Sequence, residues 1–199
     1  MTAETNPSAA GLAWAQRLVR FNTVSRESNL PLIECIADHL RSLGVPLRLS
    51  WDDNRRKANL FATLGEGKPG GVILSGHTDT VPWDGQAWTV DPLGADLRTV
   101  DGEPRLYGRG SADMKGFIGL VVAQTQAFLD ADLPHALHYA FSYDEEVGCF
   151  GAQTLLADLA EAGLPKAALP RLCIVGEPTS MIPAIRSEER RVGKECRMP

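Results

Sequence analysis

The sequence holds only four cysteines, Cys35, Cys149, Cys173 and Cys196, and no two of them form a Cys-x-x-Cys pair. That spacing excludes a zinc ribbon and a disulfide scaffold, and a reduced, cytoplasmic setting is expected. No run of about eighteen apolar residues occurs, so no transmembrane helix and no membrane partner are expected. The N-terminal stretch "MTAETNPSAAGLAWAQRLVRF" has no basic region followed by an apolar core, so it does not read as a secretory signal. Positive charge is also in short supply. The net charge is −5, which argues against a nucleic-acid partner. The glycine-rich stretch "GEGKPGG" lacks the Gly-Lys-Ser/Thr ending of a phosphate loop and precedes a strand, so it reads as a turn. There is no internal repeat and no long linker. A chain of 199 residues is then one large domain or part of a bigger one.

What is present is an alternation of helical and strand patterns. "AAGLAWAQRLVRF" and "LPLIECIADHLRSLG" carry apolar residues at helical spacing, the second opening after Asn29-Leu30-Pro31 and closing at Gly44. "ANLFATLG" (Ala58–Gly65) reads as a strand, and "VILSG" (Val72–Gly76) as a short strand of the fully buried kind. Asp91 to Tyr107 is rich in Asp, Gly and Pro and reads as a hairpin or long loop. "GRGSADMKGF" then leads into the helical run "IGLVVAQTQAFLDA". "HALHYAFSY" reads as a strand, "GAQTLLADLAEAG" as a helix and "RLCIVGEP" as a last short strand. This order predicts an α/β fold in three layers, with helices on both faces of a mixed, largely parallel sheet.

Four polar stretches stand just past predicted strands or at a helix start. They are His77-Thr78-Asp79, Ala112-Asp113, Asp144-Glu145-Glu146 and Gly176-Glu177. Open α/β sheets bind ligands outside the carboxyl ends of their strands, so one rim is expected to collect these groups. One imidazole among several carboxylates suits zinc, and a carboxylate can bridge two ions. A paired-metal site also needs a base to take a proton from water. The adjacent acids Glu145 and Glu146 pose a question of direction. Neighbours on a strand point to opposite faces, so they are expected to divide the labour, one binding metal and the other handling the proton. Asp79, two residues beyond His77, could orient the imidazole. His39 is expected on a helix surface, His135 and His138 beside a strand without a ligand role, and Cys149 in packing.

"SGHTDTVP", "LYGRGSADMKGF", "YDEEVG" and "IVGEPT", occurring in this order, resemble the co-catalytic zinc peptidases and deacylases. Nearly everything from the first helix to about Ile185 takes part. "TVSRESNLPLIE", "KANLFATLG" and "YDEEVGCFGA" look most like the acetylornithine deacetylase branch. The resemblance implies a zinc-exopeptidase-like catalytic domain holding two divalent ions, zinc or cobalt. It implies that His77 and Glu177 bind one ion, that Asp113 bridges both and that Glu146 binds the second. It also implies that Asp79 orients His77, that Glu145 is the general base and that the peptide between Asp113 and Met114 is cis, a state rare outside proline. The implied reaction is hydrolysis of N-acetyl-L-ornithine to ornithine and acetate in arginine biosynthesis. Related desuccinylases and metallocarboxypeptidases are the alternative, with a small N-acylated amino acid as the partner and a homodimer for the full-length protein.

The sequence departs from the family pattern at its end. The family places a lid domain soon after "GEPT" and a further histidine ligand late in a chain about twice this long. On that pattern the catalytic domain is expected to be incomplete, and the second ion would keep only Glu146 and Asp113, fewer ligands than zinc sites normally have. The composition changes abruptly after Ile185, and "RSEERRVGKEC" (Arg186–Cys196) matches the in-frame translation of a short-read sequencing adapter. Residues 1–185 are therefore expected to be the N-terminal part of the catalytic domain, and residues 186–199 a non-native tail. That tail carries five basic and three acidic residues, so without it the net charge of −5 becomes −7. The 199-residue chain by itself is expected to be an inactive fragment.

Overall fold

The computed structural model describes residues 7–163 and 169–184. The expected non-native tail lies outside them. Helices α1 (Pro7–Val19) and α2 (Leu30–Ser42) come first, followed by strands β1 (Leu47–Trp51), β2 (Ala58–Leu64) and β3 (Gly70–His77). A separate hairpin, β4 (Asp96–Val100) with β5 (Glu103–Tyr107), precedes helices α3 (Lys115–Ala123) and α4 (Thr125–Asp130). Strand β6 (Ala136–Ser142), helix α5 (Phe150–Ala162) and strand β7 (Leu172–Val175) complete the described fold.

The main sheet has the order β1-β2-β6-β3-β7. It is antiparallel across β1, β2 and β6, and parallel across β6, β3 and β7. The parallel half aligns the carboxyl ends of β3 and β6, with His77 opposite Ser142, and those of β3 and β7, with Ser75 opposite Val175. Everything just past those ends shares one rim.

Alternation along the strands sorts side chains into two layers. Leu60, Ala62 and Leu64 of β2 and Leu137, Tyr139 and Phe141 of β6 join Leu18 of α1, five residues of α2 and Ile118, Val121 and Val122 of α3 in the main core. Phe61 and Ala140 face the other way, onto Leu155 of α5. Helices therefore cover both faces, in three layers. Each wholly buried Leu, Ile or Phe contributes on the order of 1.5–3 kcal/mol. Among the described residues β1 and β7 are the edge strands, and Leu172, Ile174 and Val175 of β7 are exposed.

Helix α2 shows how a local signal is put to tertiary use. Leu32, Ile33, Ile36, Ala37 and Leu40 repeat at helical spacing and are all buried. Asn29 stands at the N-cap, yet its side chain does not cap. Its amide instead donates to the Ala58 carbonyl and to Thr78 Oγ1, both at 2.8 Å, and its Oδ1 accepts the Ala58 N–H at 3.0 Å. One buried amide thus ties the start of α2 to the start of β2 and the end of β3. At the other end the chain turns at Gly44, whose φ of +73° favours glycine. Helices α1 and α3 cross so closely that a Cβ on Gly119 would lie 2.6 Å from the Ala15 backbone nitrogen.

Strand β1 was not expected from the sequence, although Leu47, Leu49 and Trp51 alternate with Arg48 and Ser50. The Asp91–Tyr107 stretch resolves into a hairpin whose turn, Asp101-Gly102, has both φ angles positive, as such two-residue turns require.

Candidate metal centre

Beyond β3 the chain runs beside the segment 23–25. Thr80 N–H donates to the Thr23 carbonyl at 3.0 Å, Ser25 N–H to the Thr80 carbonyl at 3.2 Å, and Thr23 Oγ1 to the Thr78 carbonyl at 2.6 Å. This ribbon fixes His77 and Asp79 in the interior, each only 2% exposed.

His77 is the hub. Its Nδ1 donates to the backbone carbonyl of Asp79 at 2.9 Å, with the Asp79 carboxylate farther off at 3.5 Å. The imidazole is oriented first by a main-chain oxygen. Its Nε2 lies 2.9 Å from Asp113 Oδ1, 3.8 Å from Glu177 Oε1 and 3.9 Å from Glu145 Oε2. Two sets of potential ligand atoms each lie within 4.8 Å of one another: His77 with Glu145 and Glu177, and His77 with Asp113 and Glu146.

Each carboxylate has its own support. Asp113 precedes α3, and its peptide to Met114 is cis, as the resemblance implies. Met114 is buried under the site and its sulfur accepts the His77 N–H at 3.2 Å. Glu177 follows Gly176, which packs so tightly on Phe117 that a Cβ there would fall 2.0 Å from the ring. Glu145 and Glu146 sit in a turn, after Asp144 has taken a positive φ of 53°. β6 has already ended at Ser142, so strand alternation does not govern the pair. Both acids approach His77, where opposite faces had been expected. Asp79 holds that turn: its Oδ1 accepts the Glu145 N–H at 3.0 Å and its Oδ2 the Glu146 N–H at 3.3 Å.

The electrostatics fit a cation site. Burial alone would lower the His77 pKa, but hydrogen bonds to Asp113 and Asp79, with their charges, outweigh it and push the pKa up to about 11. Burial, followed by the charge of Asp113, pushes Glu146 up to about 7. An imidazole that holds its proton so firmly and a carboxyl that gives its own up so reluctantly are signs of crowded negative charge. Imidazole nitrogen and carboxylate oxygen are donors that suit divalent metal ions, which would relieve that crowding.

Residues 73–187 match the model of Peptidase family M20/M25/M40. The chain belongs to that family. Among curated relatives it is 37% identical over 173 residues to an acetylornithine deacetylase of Proteus mirabilis (strain HI4320), covering 86% of this chain and 41% of that protein. It is also 37% identical over 177 residues to an acetylornithine deacetylase of Pasteurella multocida (strain Pm70), covering 86% and 42%. The chain thus spans about two-fifths of the length of the curated relatives it matches. Among solved structures, an M20 family metallo-carboxypeptidase of Sulfolobus solfataricus superposes with a TM-score of 0.68 at 17% identity, covering 83% of this chain and 37% of that one. Human carnosine dipeptidase 1 does so with a TM-score of 0.67 at 23% identity, covering 83% and 38%. These likenesses bear on the fold, which is that of M20 metallopeptidase catalytic domains.

Other residues near this cluster were given no site role in the sequence. Ser25 Oγ donates to Asp79 Oδ2 at 2.7 Å, and Lys57 Nζ meets Asp144 at 2.5 Å. Lys115, next but one to Asp113, is buried. Its ammonium donates to the Phe21 carbonyl at 2.7 Å, and burial pulls its pKa down to about 7. Cys149 is exposed at the left-handed N-cap of α5 rather than packed, with Sγ 3.8 Å from Glu145 Oε1. His138 lies inside β6, away from the site, with Nδ1 3.0 Å from Thr63 Oγ1 and its ring stacked on Phe61. His39 is half-buried against Trp14.

Proposed function

We propose that this chain is the N-terminal part of a metal-dependent amide hydrolase that converts N-acetyl-L-ornithine and water to L-ornithine and acetate, in arginine biosynthesis. The carrying observation is the convergence of His77 with Asp113, Glu145, Glu146 and Glu177 in a chain 37% identical to proteins named acetylornithine deacetylase. His77 and Glu177 would hold one divalent ion, Asp113 would bridge, and Glu146 would hold a second. Bound there, zinc or cobalt supplies a Lewis acid for the amide carbonyl and acidifies water.

Within that frame the protein's own groups have distinct work. Glu145 is half-exposed, so it can reach both solvent and substrate. It takes a proton from the attacking water and returns it to the leaving amine. Asp79 keeps its charge, because hydrogen bonds from His77, Ser25 and the Glu145 backbone outweigh the raising effect of burial. It steadies the imidazole through its main chain and the glutamate turn through its carboxylate.

Residues 1–185 are assigned to the catalytic domain and residues 186–199 to a non-native tail, a division that resequencing the source DNA across the Ile185 codon tests. The 199-residue chain is proposed to be inactive by itself, and the full-length protein to be a cytoplasmic homodimer. No helix among the described residues is long and apolar enough to cross a membrane. The deciding experiment is acetate release from N-acetyl-L-ornithine by the full-length protein with zinc or cobalt, set against an N-succinyl amino acid and a dipeptide. Preference for either competitor would replace this reading with a desuccinylase or a peptidase.

A further inference from the structure

We propose that Lys57 is a positioning residue: it closes a hydrogen-bonded circuit that holds the Glu145–Glu146 turn against the carboxylate cluster. This rests on the roles proposed above for the two glutamates. Lys57 immediately precedes β2, and its side chain and that of Asp144 are each only 15% exposed. The ammonium contacts both Asp144 oxygens, at 2.5 and 2.6 Å, and donates to the Ser25 carbonyl. Ser25 Oγ in turn donates to Asp79 Oδ2, and the Asp79 carboxylate accepts the N–H groups of Glu145 and Glu146. The path returns through the backbone to Asp144. Four separate segments of chain are joined in one closed ring, and Lys57 is its only cation.

The ring explains why an ammonium stands where no ligand needs one. The turn leaves β6 through a left-handed residue, Asp144, and runs into α5, where Phe150 N–H donates to the Asp144 carbonyl at 3.2 Å. Between those points the Glu145 and Glu146 amides are held by Asp79 alone among side chains. Asp79 is aimed by Ser25, and Ser25 is placed by Lys57. A partly buried ion pair adds little net stability over an apolar replacement, so the role of the pair is geometric.

Amide hydrogen exchange reads the ring without metal or turnover. Lys57→Met keeps the length of the stem and removes the charge. In that variant the Glu145 and Glu146 amides should exchange about tenfold faster, while Tyr139 and Phe141 in β6 keep their protection. Lys57→Arg should restore most of the protection, which a purely structural loss would not show. Unchanged exchange at Glu145 and Glu146 in Lys57→Met overturns the proposal. Should Lys57→Met lose protection throughout β6, Asp144→Asn and Ser25→Ala open the same ring elsewhere, and normal protection of both glutamate amides in those two variants overturns it equally. Zinc titration of the full-length protein keeps the two ideas apart. No zinc uptake would remove the metal reading and leave the exchange result standing, whereas normal uptake with unchanged exchange in Lys57→Met would remove only the ring.

Discussion

Two residues carry the sharpest consequences. Glu145 is assigned the proton and Glu146 the metal, although they are neighbours in one turn. Replacing Glu145 by Gln in the full-length protein should lower kcat by about 10²–10⁴-fold, the range for loss of a general base, with metal content unchanged. Turnover assays paired with metal analysis check this, and loss of metal would instead make Glu145 a ligand. His138 makes a different prediction. It is buried in β6 with Nε2 unpartnered, and burial lowers its pKa from the usual 6.5. The folded state therefore prefers the neutral ring. The stability this contributes is full above about pH 6.5 and is lost as the pH falls toward the folded value. Urea midpoints at pH 7.5 and 5.5 should differ less in His138→Gln than in the unaltered chain. His77, whose pKa moves upward, is common to both proteins and cancels in that comparison.

At the scale of elements, the crossing of α1 and α3 is a close backbone approach away from the site. Gly119 faces the Ala15 backbone, and no flexible side chain stands there to yield. Gly119→Ala should therefore destabilise the fold by about 1–3 kcal/mol despite the better helix propensity of alanine, as overpacked cores do. Denaturant unfolding gives the sign directly. The periodicity of α2 and the apolar runs of β3 and β6 made these elements legible, because burial on one or both faces leaves a pattern in the chain. β1 was missed: five residues of alternating character, LRLSW, are a short and weak signal. The β6-to-α5 connection was misread in direction, since the positive φ of Asp144 leaves no mark in an ordinary Tyr-Asp-Glu string.

For the whole molecule, the five acidic groups and one imidazole act as a single charge cluster. At neutral pH the ring of His77 holds a proton and Glu146, with a pKa of about 7, holds part of one. Zinc binding must release them, so affinity should rise as the pH climbs from 6 to 8. Calorimetry in buffers of different ionisation enthalpy should report protons leaving, and chelation should lower the melting temperature gained with the metal. A titration without proton release would mean that the ion sits elsewhere.

The sequence by itself determined which residues could do chemistry and where they stood relative to the elements. His77, Asp79, Asp113, Glu145, Glu146 and Glu177 were all legible as polar groups at strand ends or a helix start, because apolar runs mark the strands and the polar residues interrupt them. Only the tertiary structure decided how they meet. The parallel pairing of β6, β3 and β7 puts residues 77, 145, 146 and 177 on one rim, and the approach of α3 adds Asp113. The contacts that join Ser25, Lys57 and Asp144 became visible only there. A hydrogen bond between residues 32 or 87 positions apart has no period in the chain, and the side chains that make it are of kinds found on any surface.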